Sequence, residues 1–285
     1  MQSDKKKIFG ITYDLIFKSV FKSNKEALII LTKKYIKDLE NEDIKPDDIK
    51  FKDSESTGGL NIKVSRYDIR FDIVRKEDVR FIELEMQRKK TEYDVKERMM
   101  KYFSDLMASS YVKGDNYHHH TCYSVWFLNY DLFEDNEIIH TFTMKDENSN
   151  ELLKTKDSII IIEIEKLKNY NKVDIWEQLF YVENYNSLMG VNKVMDKLID
   201  DIYKYNENDN MRDALFYQER DREEREADLA AAKRNGFNQG KEEGKKEEKE
   251  ETLKLVKKMK ELNYTTDEIV EALSRGITLE ELESK

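Results

Sequence analysis

The chain has 285 residues, 39% of them charged and 39% apolar, and a formal net charge of −10. It is long enough for one large domain or two modest ones around a real core, and its acidity argues against coating nucleic acid through a broad basic surface while leaving local binding by Lys and Arg open. One cysteine, Cys122, excludes an internal disulfide framework and fits a reducing cytoplasm; with no apolar signal segment in MQSDKKKIFG and no run near the roughly 18 residues of a membrane span, a soluble cytoplasmic protein is expected.

Tyr13 to Phe21, YDLIFKSVF, places Leu15, Ile16, Phe17, Val20 and Phe21 at helical spacing. Asp14 and Lys18 stand four apart and read as a favourable helical pair. Ser23 and Glu26 form an S-x-x-E capping box that predicts a second helix through about Tyr35. Residues 38 to 60, with Pro46 and Gly58-Gly59, read as a connection holding at most a short strand.

The stretch RYDIRFDIVRKEDVRFIELEMQRKK, Arg66 to Lys90, reads as a hairpin turning at Lys76 to Val79. Ile69, Phe71 and Ile73 alternate with Asp68, Arg70 and Asp72; Ile82, Leu84 and Met86 alternate with Glu83, Glu85 and Gln87. Each strand so has one apolar and one acidic face, and the turn brings the acidic faces to one side. Opposed like charges cost roughly 0.2–1 kcal/mol per pair. A divalent ion held by carboxylates would relieve them, and a solvated strand face is the plainer reading of this stretch taken alone.

Val95, Met99, Tyr102, Phe103, Leu106 and Met107 predict an amphipathic helix stopping near Gly114; Arg98, near the edge of its stripe, is placed to reach the acidic face or to pair with Asp94. His118, His119 and His120 are consecutive and so cannot all face one ion from a strand or helix. Tyr123–Tyr130, Ile138–Met144 and Ser158–Ile164 predict strands, the last bulky enough to be buried on both faces, and Asp174–Tyr185 a helix. From Arg212 to Met259 the chain is helix-forming and charged. Gly236, Gly240 and Gly244 recur there on one helical face, at about 1 kcal/mol each relative to alanine; a linker is the first explanation and self-association the second. Two further capping boxes, Thr265 with Glu268 and Thr278 with Glu281, flank Gly276 and predict a small helical hairpin.

The order YDLIFKSVF, Asp-bearing strand, IELEMQ, then a helix with R-x-x-x-Y (Arg98, Tyr102) resembles the Rpn family of recombination-promoting nucleases, also called putative transposases, within the PD-(D/E)XK nuclease superfamily. KGDNYHHHTCYSVWFLNYDLF, IIIIEIEKLKNYNKVDIWEQLF and the glycine-spaced AAAKRNGFNQGKEEGKKEE resemble later parts of that family, so the likeness spans most of the chain. It implies an α/β fold, a restriction-endonuclease-like mixed sheet flanked by helices with a helical C-terminal extension. The implied organisation is a nuclease-like domain over 1–210, a charged helical linker over 211–262 and a helical hairpin over 263–285.

The resemblance also implies a metal-dependent DNA endonuclease. Catalysis would rest on Asp72, Glu85 and Gln87, with Asp72 and Glu85 holding Mg²⁺ or another divalent ion. Gln87 stands where the superfamily's E-x-K pattern has lysine, and brings hydrogen bonding without charge. R-Y-D-I and R-F-D-I stand in tandem, so Asp68 is the alternate to Asp72. Asp14 and Arg98 are supporting candidates. DNA is the expected partner, with self-association through the C-terminal helices and no membrane. The alternative is a non-catalytic, nuclease-like interaction protein that self-associates or docks partners through its tail; a strand-transfer transposase is a third possibility.

Overall fold

A computed structural model describes residues 7–53, 66–76, 78–90, 94–112, 114, 117–153, 156–170 and 173–278. Gly58-Gly59 and Glu281 of the Thr278 capping box lie outside the described residues. Two compact units divide between Leu215 and Phe216.

The first unit is built on a six-stranded mixed sheet in the order β1-β2-β3-β4-β6-β5. The strands are β1 (Ile49–Phe51), β2 (Ile69–Arg75), β3 (Asp78–Gln87), β4 (Thr121–Leu128), β5 (Ile139–Thr143) and β6 (Ser158–Glu163). β3, β4 and β6 run parallel, while β1, β2 and β5 join antiparallel. The helices are α1 (Asp14–Ser23), α2 (Lys25–Tyr35), α3 (Val95–Ser109), the short α4 (Ile164–Leu167) and α5 (Ile175–Gln178), α6 (Lys193–Glu207), α7 (Asp209–Glu261) and α8 (Thr266–Ser274). This is the expected α/β class, a mixed sheet with flanking helices and a helical C-terminal region.

The period of two sorts the strands into two buried layers. Ile69, Phe71, Ile73, Ile82, Leu84, Met86, Val125 and Phe127 pack on one face with Phe17, Val20 and Phe21 of α1, Leu28 and Leu31 of α2 and Leu198 and Ile202 of α6. On the other face Val95, Met99, Phe103 and Leu106 of α3 cover Cys122, Trp126, Leu128, Ile159 and Ile161. Glu83 and Glu85 of β3 lie on this second face, so they are buried beneath a helix. A solvated strand face is excluded.

The register also changes the charge picture. β2 turns back into β3 after Arg75, which lies opposite Asp78, and Lys76 takes φ 51°. Arg70 is opposite Glu83, and Asp72 opposite Phe81. The directly facing pairs are therefore not acid against acid.

Three helix ends differ from expectation. The N-cap of α2 is Asn24, whose Oδ1 accepts from the Ala27 N–H at 3.1 Å; the Ser23 hydroxyl instead donates to the Val20 carbonyl. α3 closes at Ser109, before Gly114, because Ser110 N–H turns back to the Met107 carbonyl. The helix expected over 174–185 is a single turn, Ile175–Gln178, opened by its Asp174–Glu177 capping box.

In the second unit α7 ends in a Schellman turn. Asn263 takes φ 62° and the Tyr264 N–H reaches the Met259 carbonyl. α8 then opens on the Thr265–Glu268 capping box, and Leu255, Met259, Ile269 and Ala272 form a small core. Gly276, at φ 69°, closes α8 in the same way, with Ile277 N–H on the Ala272 carbonyl.

Candidate active site

The site forms where β2 begins and β3 ends. Ile69 opposite Leu84 is the last backbone pair of the β2–β3 ladder. Beyond it a side chain takes over: the Met86 N–H donates to Asp68 Oδ2 at 2.8 Å. In return the Asp68 N–H donates to Glu85 Oε1 at 2.7 Å. Each carboxylate is thus fixed by a backbone amide of the other's strand, which satisfies two donors that the ended ladder leaves over and holds two acids side by side.

Two cations offset them. Arg98, one turn into α3, directs Nη2 to Glu85 Oε2 at 3.1 Å and Nη1 to Gln87 Oε1 at 3.0 Å. Its guanidinium also lies over the rings of Tyr102 and Trp126, at 5.0 and 5.3 Å. The Lys18 ammonium, from α1, is 2.9 Å from Asp68 Oδ1. Burial opposes the charge on Lys18, but Asp68, joined by Glu85 and Asp14, outweighs it and raises the ammonium's pKa. Burial, then the charges of Asp68 and Glu83, push Glu85 well above the usual carboxylate range against the pull of Arg98. A cation at Asp68 and Glu85 would reverse that shift.

The structure therefore brings together Asp68, Glu85, Gln87 and Arg98 of the residues singled out from the sequence. Asp72 does not join them. It lies four residues along β2, a strand distance of roughly 13 Å, and Lys52 holds its Oδ2 at 3.0 Å. The acid that meets Glu85 is Asp68, in place of Asp72. Gln87 is engaged at both ends, since its Nε2 donates to the Lys89 carbonyl at 2.9 Å. Asp14 begins α1 one turn before Lys18 and adds to the field that keeps the ammonium charged.

Lys18 is the residue that sequence reasoning missed. Its spacing from Asp14 matches an ordinary helical pair, and only the tertiary fold carries it to Asp68. A second polar cluster also went unforeseen: Asp135, His140 and Glu163 each bring one ligand-type atom within 4.8 Å of the others. Glu163 ends β6 and Lys166 sits one turn into the following helix, 2.8 Å from Glu163 and 3.0 Å from Asp135. The Leu132 and Phe133 N–H groups also donate to Glu163. Positive charge is already built in there. Of the three consecutive histidines, His119 pairs with Asp157 at 2.9 Å and His120 stacks on Phe81, so they point to different partners.

Two carboxylates offering hard oxygen donors suit a divalent ion of the Mg²⁺ type, which is commonly held by one or two carboxylates together with substrate phosphate. A family model described as PD-(D/E)XK nuclease family transposase matches residues 11–236, which includes every side chain of this site. No curated protein and no solved structure matches the chain.

Proposed function

The chain belongs to the PD-(D/E)XK nuclease family transposases, and from that membership we propose that it is a divalent-metal-dependent DNA endonuclease with Asp68 and Glu85 as its metal ligands, probed first with Mg²⁺. The observation that carries the reading is the Asp68–Glu85 pair, laced together by the Met86 and Asp68 amides at the end of β3. A bound divalent ion there supplies Lewis acidity and a water of lowered pKa.

The chain's own residues do the rest. Arg98 fixes the Glu85 carboxylate through one arm of its fork and Gln87 through the other, so Gln87 serves mainly to orient Arg98. Arg88, Lys89 and Lys90 follow Gln87 directly and give an otherwise acidic chain a local set of phosphate contacts. In the hydrolysis a water oxygen bonds to phosphorus as the bond to the leaving sugar oxygen breaks. The water gives up a proton, and the leaving oxygen takes one up. A role in recombination or in mobile-element biology accords with the family description.

The test is nicking of supercoiled plasmid with and without Mg²⁺. Asp68→Ala and Glu85→Ala are expected to abolish metal-dependent nicking, and Asp72→Ala to retain it. Loss of nicking in Asp72→Ala alone, with Asp68→Ala active, would reverse the ligand assignment. One observation favours a second reading, a non-catalytic interaction protein: Lys18 and Arg98 already neutralise the carboxylate pair. Absence of nicking by the wild-type chain with any divalent ion would select that reading.

A further inference from the structure

The strand position two residues after Glu85 holds an amide, Gln87, so the E-x-K pattern leaves this site without its strand lysine. Two cations reach the carboxylate pair from outside the sheet, and they differ in freedom. Arg98 is committed by both arms of its fork and by the two aromatic rings beneath it. Lys18 holds a single carboxylate oxygen, Asp68 Oδ1, through a flexible four-carbon stem.

Exposure separates Lys18 from the acids. Its side chain is 33% exposed, against 11% for Asp68, and Glu85 has 2%. Lys18, like Arg98 at 35%, is thus more open to solvent than the acids it neutralises, and a phosphodiester must arrive from the open side. The backbone that carries Lys18 is rigid. Phe17 and Phe21 flank Lys18 on α1 and are fully buried, and the Phe17 ring packs on those of Phe21 and Phe127 at 5.0 and 5.7 Å.

We propose that Lys18 is the missing lysine of this site, supplied from α1 in place of β3: its ammonium holds Asp68 Oδ1 in the free protein and moves to a non-bridging oxygen of the scissile phosphate when metal and DNA bind. The inference rests on the nuclease reading above. It follows from charge and reach: a metal at Asp68 displaces the ammonium, which remains tethered within a side chain's swing of the same spot. A cation there stabilises the negative charge that builds on phosphate oxygens in the transition state.

Lys18→Met and Lys18→Arg test it, by single-turnover plasmid nicking and by Mn²⁺ titration of the full-length chain without DNA. Lys18→Met is expected to slow nicking about a hundredfold while binding Mn²⁺ at least as tightly as the wild type, because a competing cation is gone. Lys18→Arg keeps the ion pair and is expected to recover part of the rate. Wild-type nicking in Lys18→Met overturns the proposal while leaving the nuclease reading intact, since Glu85→Ala remains inactive beside it. Loss of Mn²⁺ binding in Lys18→Met overturns it also, by showing a structural role. A wild-type chain that never nicks removes the nuclease reading, and this inference falls with it.

Discussion

Glu83 is a side chain whose ionisation the fold opposes. It is fully buried under α3, accepts a hydrogen bond from the Ser124 hydroxyl, and leaves Oε2 without a hydrogen-bond partner among the described residues. Burial pushes its pKa from 4.5 up to about 8, against the lowering effect of Ser124. In that window the unfolded chain has released a proton that the folded chain retains, so this group's contribution to stability is complete below 4.5 and declines as pH rises through about 8. Glu83→Gln keeps the hydrogen-bonding shape and cannot titrate. Thermal melts across this range should show a steeper loss of Tm with pH in the wild type than in Glu83→Gln, and parallel curves would sink the assignment. At this scale the sequence was partly legible. Glu85, Gln87 and Arg98 could be picked out because a strand period and a helical stripe place them. Asp68 and Asp72 share a face and a motif, and only the point where the ladder ends decides which of them meets Glu85. Lys18 carried no signal of its own.

The strands were readable because alternation and bulk survive in both layers, and α1 and α3 because their stripes are complete. Their ends were less readable, since a cap is decided by one hydrogen bond. Asn24 and Ser23 are both good capping residues, and the geometry uses Asn24. α7 poses the opposite problem, a helix with almost no apolar stripe between Phe216 and Leu253. At Gly236, Gly240 and Gly244 an added Cβ would meet nothing within 4 Å, so packing among the described residues gives these glycines no reason. Replacing all three by alanine should therefore favour the helix by about 1 kcal/mol each. The expected result is greater helicity by circular dichroism and an unchanged mass by sedimentation equilibrium. A wild-type dimer that becomes a monomer in the triple variant would show that two copies pack through the glycine face, and would replace the linker reading with self-association.

Over the whole molecule, the division between the two units falls five residues past the boundary at 210 expected from the sequence. Composition changes near 210, but packing continues. Leu215 is fully buried in the first unit's core, and the Arg212 guanidinium donates to the carbonyls of Lys7 and Asn206. Asn206 in turn is bound on both sides to Phe9, accepting its N–H at 2.8 Å and donating to its carbonyl at 2.9 Å. The first turn and a half of α7 thus helps fasten the segment leading into α1, and α1 carries Lys18 to the candidate site. A charged stretch hides this, because one leucine and one arginine among many polar residues carry no period. A chain ended at residue 220 keeps these contacts, whereas one ended at 210 loses a buried leucine and the Arg212 bonds. Removing a buried leucine costs about 2–5 kcal/mol, so the 1–210 chain should melt on the order of 10 °C below the 1–220 chain. The 1–220 chain should retain the metal-dependent nicking expected of the intact protein, because every side chain of the candidate site, down to Trp126 beneath Arg98, precedes residue 127. Equal melting of the two chains would move the boundary back to 210 and make the opening of α7 part of the tail.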